Sequence, residues 1–157
     1  MNVANVKLLE AQLLIEKLIY DWTKIDEKLL KAIQSNNIDK VEIILTKRTV
    51  ITTKLGPDGY SCFHVACANG LSEIVELLIS SGADVNACNK RGYCGLHLAA
   101  HNGFPIVASQ LLKAGADIEL KDTLEKTALH HACNKSCEDV VVVLIRNEAN
   151  INAYDQK

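Results

Sequence analysis

Three histidines, each preceded by an apolar residue, stand 33 positions apart: Phe63-His64, Leu96-His97 and Leu129-His130. No other feature constrains the fold as much, because a period of this length marks one supersecondary unit copied along the chain. Other positions keep the same step. Ala66, Ala99 and Ala132 follow the histidines by two residues, Gly70 returns as Gly103, and Gly82 returns as Gly115. Val85-Asn86-Ala87 returns as Ile118-Glu119-Leu120 and again as Ile151-Asn152-Ala153.

Within one period the residues predict two short helices. Ser61 caps the first, which runs through Phe63 to about Asn69, where Gly70 supplies a left-handed stop. The second starts near Ser72, puts Ile74, Val75, Leu77 and Leu78 on one apolar side, and ends at Gly82. In the next copy Pro105 falls at the first turn of the second helix, where proline is tolerated. A polar, turn-rich connection from Asp84 to Gly92 leads into the following unit. Such a pair cannot bury its apolar side alone, so the copies must stack.

Gly59-Tyr60-Ser61-Cys62-Phe63-His64-Val65-Ala66 and Gly82-Ala83-Asp84-Val85-Asn86-Ala87 resemble the ankyrin repeat, with its G-x-T-P-L-H-x-A-A and G-A-D-V-N-A signatures. Gly115-Ala116-Asp117-Ile118 and Thr127-Ala128-Leu129-His130 resemble it again. The resemblance implies an all-α solenoid of about four stacked repeats. The expected units are an N-terminal helix in 1–23, a degenerate repeat in 24–57, and repeats in 58–90, 91–123 and 124–157. In the degenerate copy Leu30 takes the place of the histidine.

The copies depart from the pattern in places. Cys62, Gly95 and Ala128 replace the motif proline. In the last copy Ser136 and Glu148 replace the two helix-ending glycines, and Val142 stands where Glu76 and Ser109 stood. A left-handed backbone at Ser136 or Glu148 would cost about 1–2 kcal/mol, so this copy is expected to be the loosest. The chain closes on Asn150-Ile151-Asn152-Ala153-Tyr154-Asp155, the sequence by which one repeat hands over to another. The expectation is the N-terminal part of a longer array.

Residues 6–22 read as a further helix. Leu8, Ile15, Trp22 and Leu29 hold one heptad position, and Ala11, Leu18 and Ile25 the other. Three arrangements are open to it: folding back over the first repeat, pairing with a second chain, or lying on a membrane. Lys7 and Lys17 face Glu10, Glu16 and Asp21, which disfavours the membrane.

The junction carries a narrower resemblance. Asp21-Trp22-Thr23-Lys24, Asp26-Glu27-Lys28-Leu29-Leu30-Lys31-Ala32 and Thr53-Lys54-Leu55-Gly56-Pro57-Asp58-Gly59 are similar to the start of the ankycorbin and uveal-autoantigen family. That likeness implies further repeats, a long C-terminal coiled coil, and association with actin at the cell cortex. Residues 24–54 hold seven basic and four acidic residues. Their cations, Lys24, Lys28, Lys31, Lys40, Lys47, Arg48 and Lys54, are either an actin- or lipid-facing cluster or a solvated terminal repeat.

Reactive chemistry finds little support. Cys133/Cys137 and His97/His101 sit four apart, but no C-x-x-C pair accompanies them. Neither metal nor cofactor is expected, and the chain is not expected to be an enzyme. Cys67 and Cys133 read as core thiols, Cys88 and Cys94 as loop thiols and the more reactive ones, and His101 and His131 as surface residues. A net charge of −2 and 4% aromatics argue against nucleic acid. With no signal peptide in evidence, the six cysteines read as reduced and the location as cytoplasmic.

What remains is a surface for a protein partner. Repeat arrays bind on the concave face formed by first helices and loop tips. Reading the period gives Tyr60, Tyr93 and Lys126 as one row, Ala68, His101 and Asn134 as a second, and Asn69, Asn102 and Lys135 as a third. Lys90, Arg91 and Leu124 extend them at the tips. The expected function is a protein-binding scaffold or adaptor; the alternative is an assembly element that dimerises through the N-terminal helix.

Overall fold

The computed structural model describes residues 7–13, 22–46 and 52–153. Residues 7–13 are helical. Eight further helices are seen among the described residues: α1 Lys24–Gln34, α2 Ile38–Leu45, α3 Cys62–Ala68, α4 Ser72–Ser80, α5 Gly95–Asn102, α6 Pro105–Lys113, α7 Ala128–Asn134 and α8 Glu138–Arg146. They form four antiparallel pairs. The first helices α1, α3, α5 and α7 stack in one layer, and α2, α4, α6 and α8 stack in a second.

Each first helix starts the same way. Thr23, Ser61, Cys94 and Thr127 are the N-caps, and each cap is reciprocated from the third helical residue, by Asp26 in α1 and by the periodic histidine in the others. Ser61 N–H donates to His64 Nδ1 at 3.2 Å, and Thr127 N–H does the same to His130. The other ring nitrogen points across the connection. His64 Nε2 donates to Ala87 O at 3.0 Å, His97 Nε2 to Lys126 O at 3.1 Å, and His130 Nε2 to Ala153 O at 3.0 Å. A carbonyl only accepts and a backbone N–H only donates, so each ring is the neutral tautomer with its proton on Nε2. One side chain thereby starts a helix and holds the loop that leaves the unit.

The core is one continuous layer between the helices. Phe63, Ile74, Leu78, Leu96, Leu111 and Leu144 are fully buried. Gly95, at the motif-proline position, is required by its neighbours: a Cβ there would lie 2.9 Å from Cys67 Sγ and 3.1 Å from Phe63 Cε1. The connections are tight hairpins. Gly56, Asn89 and Asp122 each donate their backbone N–H to a carbonyl four residues on, at Tyr60, Tyr93 and Lys126. Trp22 packs its ring on Gly56, where an added Cβ would come within 3.2 Å.

Several expectations need correction. The heptad register does not extend as one helix through Trp22 to Leu29, because Thr23 starts α1 afresh and Leu29 lies in the solenoid core. Ile15 and Leu18 of that register lie outside the described residues, as do Lys47, Arg48, Tyr154 and Asp155. Leu8, Leu9 and Leu13 are exposed. Lys54 is not a surface cation; it is buried and pairs with Asp26 at 3.2 Å.

Two thiols change places as well. Cys133 is exposed although Cys67, one residue past the same alanine two repeats earlier, is fully buried. Cys67 is covered by Gly95 of the next unit, whereas Cys133 lies on the far side of the fourth unit. Cys94 is fully buried as the cap of α5, and burial pushes its thiol up to about 11, so it is no reactive loop thiol. At Ser136 and Glu148 the backbone keeps the left-handed form, with φ of +54° and +67°.

Candidate functional site

The inner layer and the hairpins enclose a concave groove of about 360 Å³. Tyr60, Ala68, Arg91, Tyr93, His101 and Asn102 line it, together with Leu98, His97 and His131. Six residues expected from the period are thus brought onto one surface by α3, α5 and the hairpins that precede them. Asn69, Lys90, Leu124, Lys126, Asn134 and Lys135 do not line this groove. Asn69, Lys90, Leu124, Asn134 and Lys135 are exposed around it, and Lys126 is half-buried.

The floor is a cluster of rings. His131 sits edge-on to Tyr93, with centroids 5.2 Å apart, to His97 at 5.5 Å and to His101 at 5.8 Å. Tyr60 leans edge-on against His64 at 6.3 Å. The tyrosines are therefore held by the histidines that build the repeats, which lowers the entropy they would lose on binding. Among the described residues no three His, Cys, Asp or Glu side chains are grouped so as to hold a metal ion.

His131 is the residue the sequence reading misplaced. It is buried, and its Nε2 donates to Asp122 Oδ2 at 2.8 Å. Asp122 Oδ1 accepts from Leu124 N–H at 2.7 Å and Lys126 N–H at 3.0 Å. The period carried a hint, since Leu98 and Val65 stand one and two repeats before His131, but two apolar residues in that row do not suggest an ion pair with a hairpin aspartate. Asn89 stands at the Asp122 position one repeat earlier. Its Oδ1 accepts from Arg91 and Tyr93 N–H, at 2.8 and 3.0 Å, which sets the hairpin that presents both side chains to the groove.

Charge is arranged unevenly around the groove. Arg91 is exposed on the hairpin side and Lys135 at the C-terminal end of α7. Partial burial, then the charges of Lys135 and His131, hold His101 below the ordinary histidine range. Asn69 and Asn102 turn their amide Nδ2 back onto Val65 O and Leu98 O, at 2.8 and 3.0 Å. Each bond uses one of the two N–H donors of its amide.

Stacked helix pairs joined by hairpins, with a ring-lined groove on the inner layer, define a repeat solenoid of the kind that binds along its concave face. The family described as "Ankyrin repeats (3 copies)" matches residues 5–88 and 63–155, and the chain belongs to that family. Among relatives, human ankyrin repeat domain-containing protein 35 is 35% identical over 69 residues, covering 44% of this chain and 7% of its own length. The mouse uveal autoantigen with coiled-coil domains and ankyrin repeats is 37% identical over 65 residues, covering 41% and 5%. The mouse serine/threonine-protein kinase TNNI3K is 38% identical over 55 residues, covering 34% and 7%. The chain thus spans only a small part of the relatives it matches.

Proposed function

We propose that the chain is a non-enzymatic protein-binding module of the cytoplasm, acting as a scaffold or adaptor through the groove between Tyr60 and His131. The observation that carries this reading is the pairing of Tyr60 and Tyr93 in one groove, one repeat apart. Tyrosine is favoured at interface hot spots because it offers a large contact area at low entropic cost. The periodic histidines are engaged at both ring nitrogens in structural bonds, which argues against a catalytic role for them. Six free cysteines fit a reducing compartment. No helix among the described residues is long and apolar enough to cross a membrane.

The test compares partners retained by the wild-type chain, by Tyr93→Ala/His101→Ala, and by an outer-helix control, Glu76→Ala. Partners lost from the groove variant and kept by the control support the reading. Partners kept equally by all three remove it.

A tie to the actin cytoskeleton belongs to the same proposal, on the exposed Lys24, Lys28 and Lys40. Cosedimentation with filamentous actin, with and without their replacement by glutamate, checks it. A second reading, assembly through the N-terminal helix, draws on the exposed Leu8, Leu9 and Leu13. Sedimentation of residues 1–157 and 24–157 decides it; a monomer in both cases removes it.

A further inference from the structure

The charge of the solenoid is divided between its two faces. The inner helices α3, α5 and α7 contain no aspartate or glutamate. The outer helices α4, α6 and α8 carry Glu73, Glu76, Glu138 and Asp139 against Lys113 and Arg146. In a chain of net charge −2 the residues that line the groove thus include no carboxylate, although α1 of the same layer carries the buried Asp26 and the exposed Glu27.

Two of the hairpin carboxylates are engaged, and Asp58 of the first hairpin is exposed. Asp122 is buried against His131 and two backbone N–H groups. Glu125 pairs with Lys121 at 2.9 Å. Cations stand at both ends of the groove: Arg91 lines it at the hairpin, and Lys135 closes α7 near His101. Between them lies an apolar stretch built from Ala68, Leu98 and the faces of Tyr60 and Tyr93.

We propose that the groove receives an extended acidic segment of a partner protein, with carboxylates at Arg91 and at Lys135 flanking an apolar side chain held between Tyr60 and Tyr93. This rests on the protein-binding reading above and adds the chemistry of the partner. Arginine meets a carboxylate with two parallel N–H bonds, which fixes the direction of the segment. Like-charge repulsion from the acidic outer helices turns an acidic segment towards the inner layer, so the same division of charge selects the face.

The experiment selects a phage-displayed library of random twelve-residue peptides on the full chain, then measures synthetic, fluorescein-labelled winners by anisotropy. The expected winners place Asp or Glu on both sides of an apolar or aromatic residue. Their binding weakens at least tenfold in Arg91→Glu/Lys135→Glu and also in Tyr93→Ala, and it weakens with added salt. Arg91 and Lys135 are exposed, and circular dichroism verifies that the charge variant keeps its helices. Winners that are neutral or basic, or no winners at all, overturn the acidic partner. So does a labelled single-stranded RNA or a second copy of the chain that binds the groove as tightly as the peptides. Peptides lost with Tyr93→Ala but unaffected by the charge reversal overturn this proposal and leave the groove reading standing. Acidic peptides unaffected by either variant overturn both.

Discussion

His131 donates from Nε2 to Asp122 Oδ2 at 2.8 Å, with both side chains almost fully shielded from water. The bond ties α7 to the hairpin that precedes it and sets His131 upright beneath Tyr93 and His101. One repeat earlier the same two places hold Asn89 and Leu98, and the buried Asn89 Nδ2 has no hydrogen-bond partner.

Asp122→Asn should lower stability by about 1–3 kcal/mol, because the buried His131 loses its anionic acceptor. Burial alone would raise the Asp122 carboxyl. The hydrogen bonds from Lys126 N–H, His131 and Leu124 N–H outweigh burial and hold it below the ordinary range. The carboxyl is thus depressed in the folded chain. Its contribution is complete above about pH 4, the unfolded value, and is lost as pH falls through the lower folded value. Urea titrations at pH 7 and pH 3 check both statements: the variant should be weaker at pH 7 and should show less acid loss.

The pair should be transferable. Asn89→Asp alone buries a carboxylate beside Leu98 and should destabilise by about 2 kcal/mol or more. Adding Leu98→His should recover most of that loss. A double-mutant cycle reads the coupling, and a coupling energy of zero would show that the hairpin and helix are not equivalently placed in the two repeats.

The neutral histidines predict acid sensitivity at higher pH. Burial holds His64 below the usual value against the opposing pull of the Ala87 and Tyr93 carbonyls; burial and the His131 charge do the same for His97. The unfolded chain takes up these protons first, near pH 6.5, so stability falls as pH drops below that point towards the folded values. The melting temperature should decline between pH 7 and pH 5. A level profile would show that both rings accept a proton in place.

Cys94→Thr should stabilise the third unit by about 0.5–1 kcal/mol, since oxygen caps a helix better than sulfur and the methyl group keeps apolar volume. Ser61 and Thr127 already occupy this place in the neighbouring repeats. Denaturant midpoints of the two proteins measure the change, and a loss would point to crowding around Phe63 and Cys67.

The left-handed positions separate by what surrounds them. Ser136→Gly and Glu148→Gly should each stabilise by about 0.5–1 kcal/mol, the relief of strain less the entropy gained by the unfolded chain. Gly70→Ala should destabilise by about 2 kcal/mol or more, because its φ is +68° and a Cβ there would lie 2.5 Å from the Phe104 ring. Thermal melts of the three variants give the order.

The 33-residue step by itself determined the helix pairs, their caps at Ser61 and Thr127, and the left-handed stops at Gly70 and Gly103. These are local decisions, made by a side chain and the backbone within a few residues of it. The same step put Tyr60, Tyr93, His101 and Asn102 on one side, because residues in register on stacked repeats must share a face. The burial of individual side chains was beyond its reach. Cys67 and Cys133 look alike in sequence, and only the presence of Gly95 over Cys67 separates them. Lys54 and Asp26 lie 28 residues apart, and their ion pair exists only after the first unit folds against its hairpin. His131 and Asp122 belong to this second group too. A periodic reading compares a residue with its copies, whereas an ion pair depends on what the neighbouring element brings within 3 Å. Tertiary structure therefore decided which polar groups became floor, core and rim of the groove.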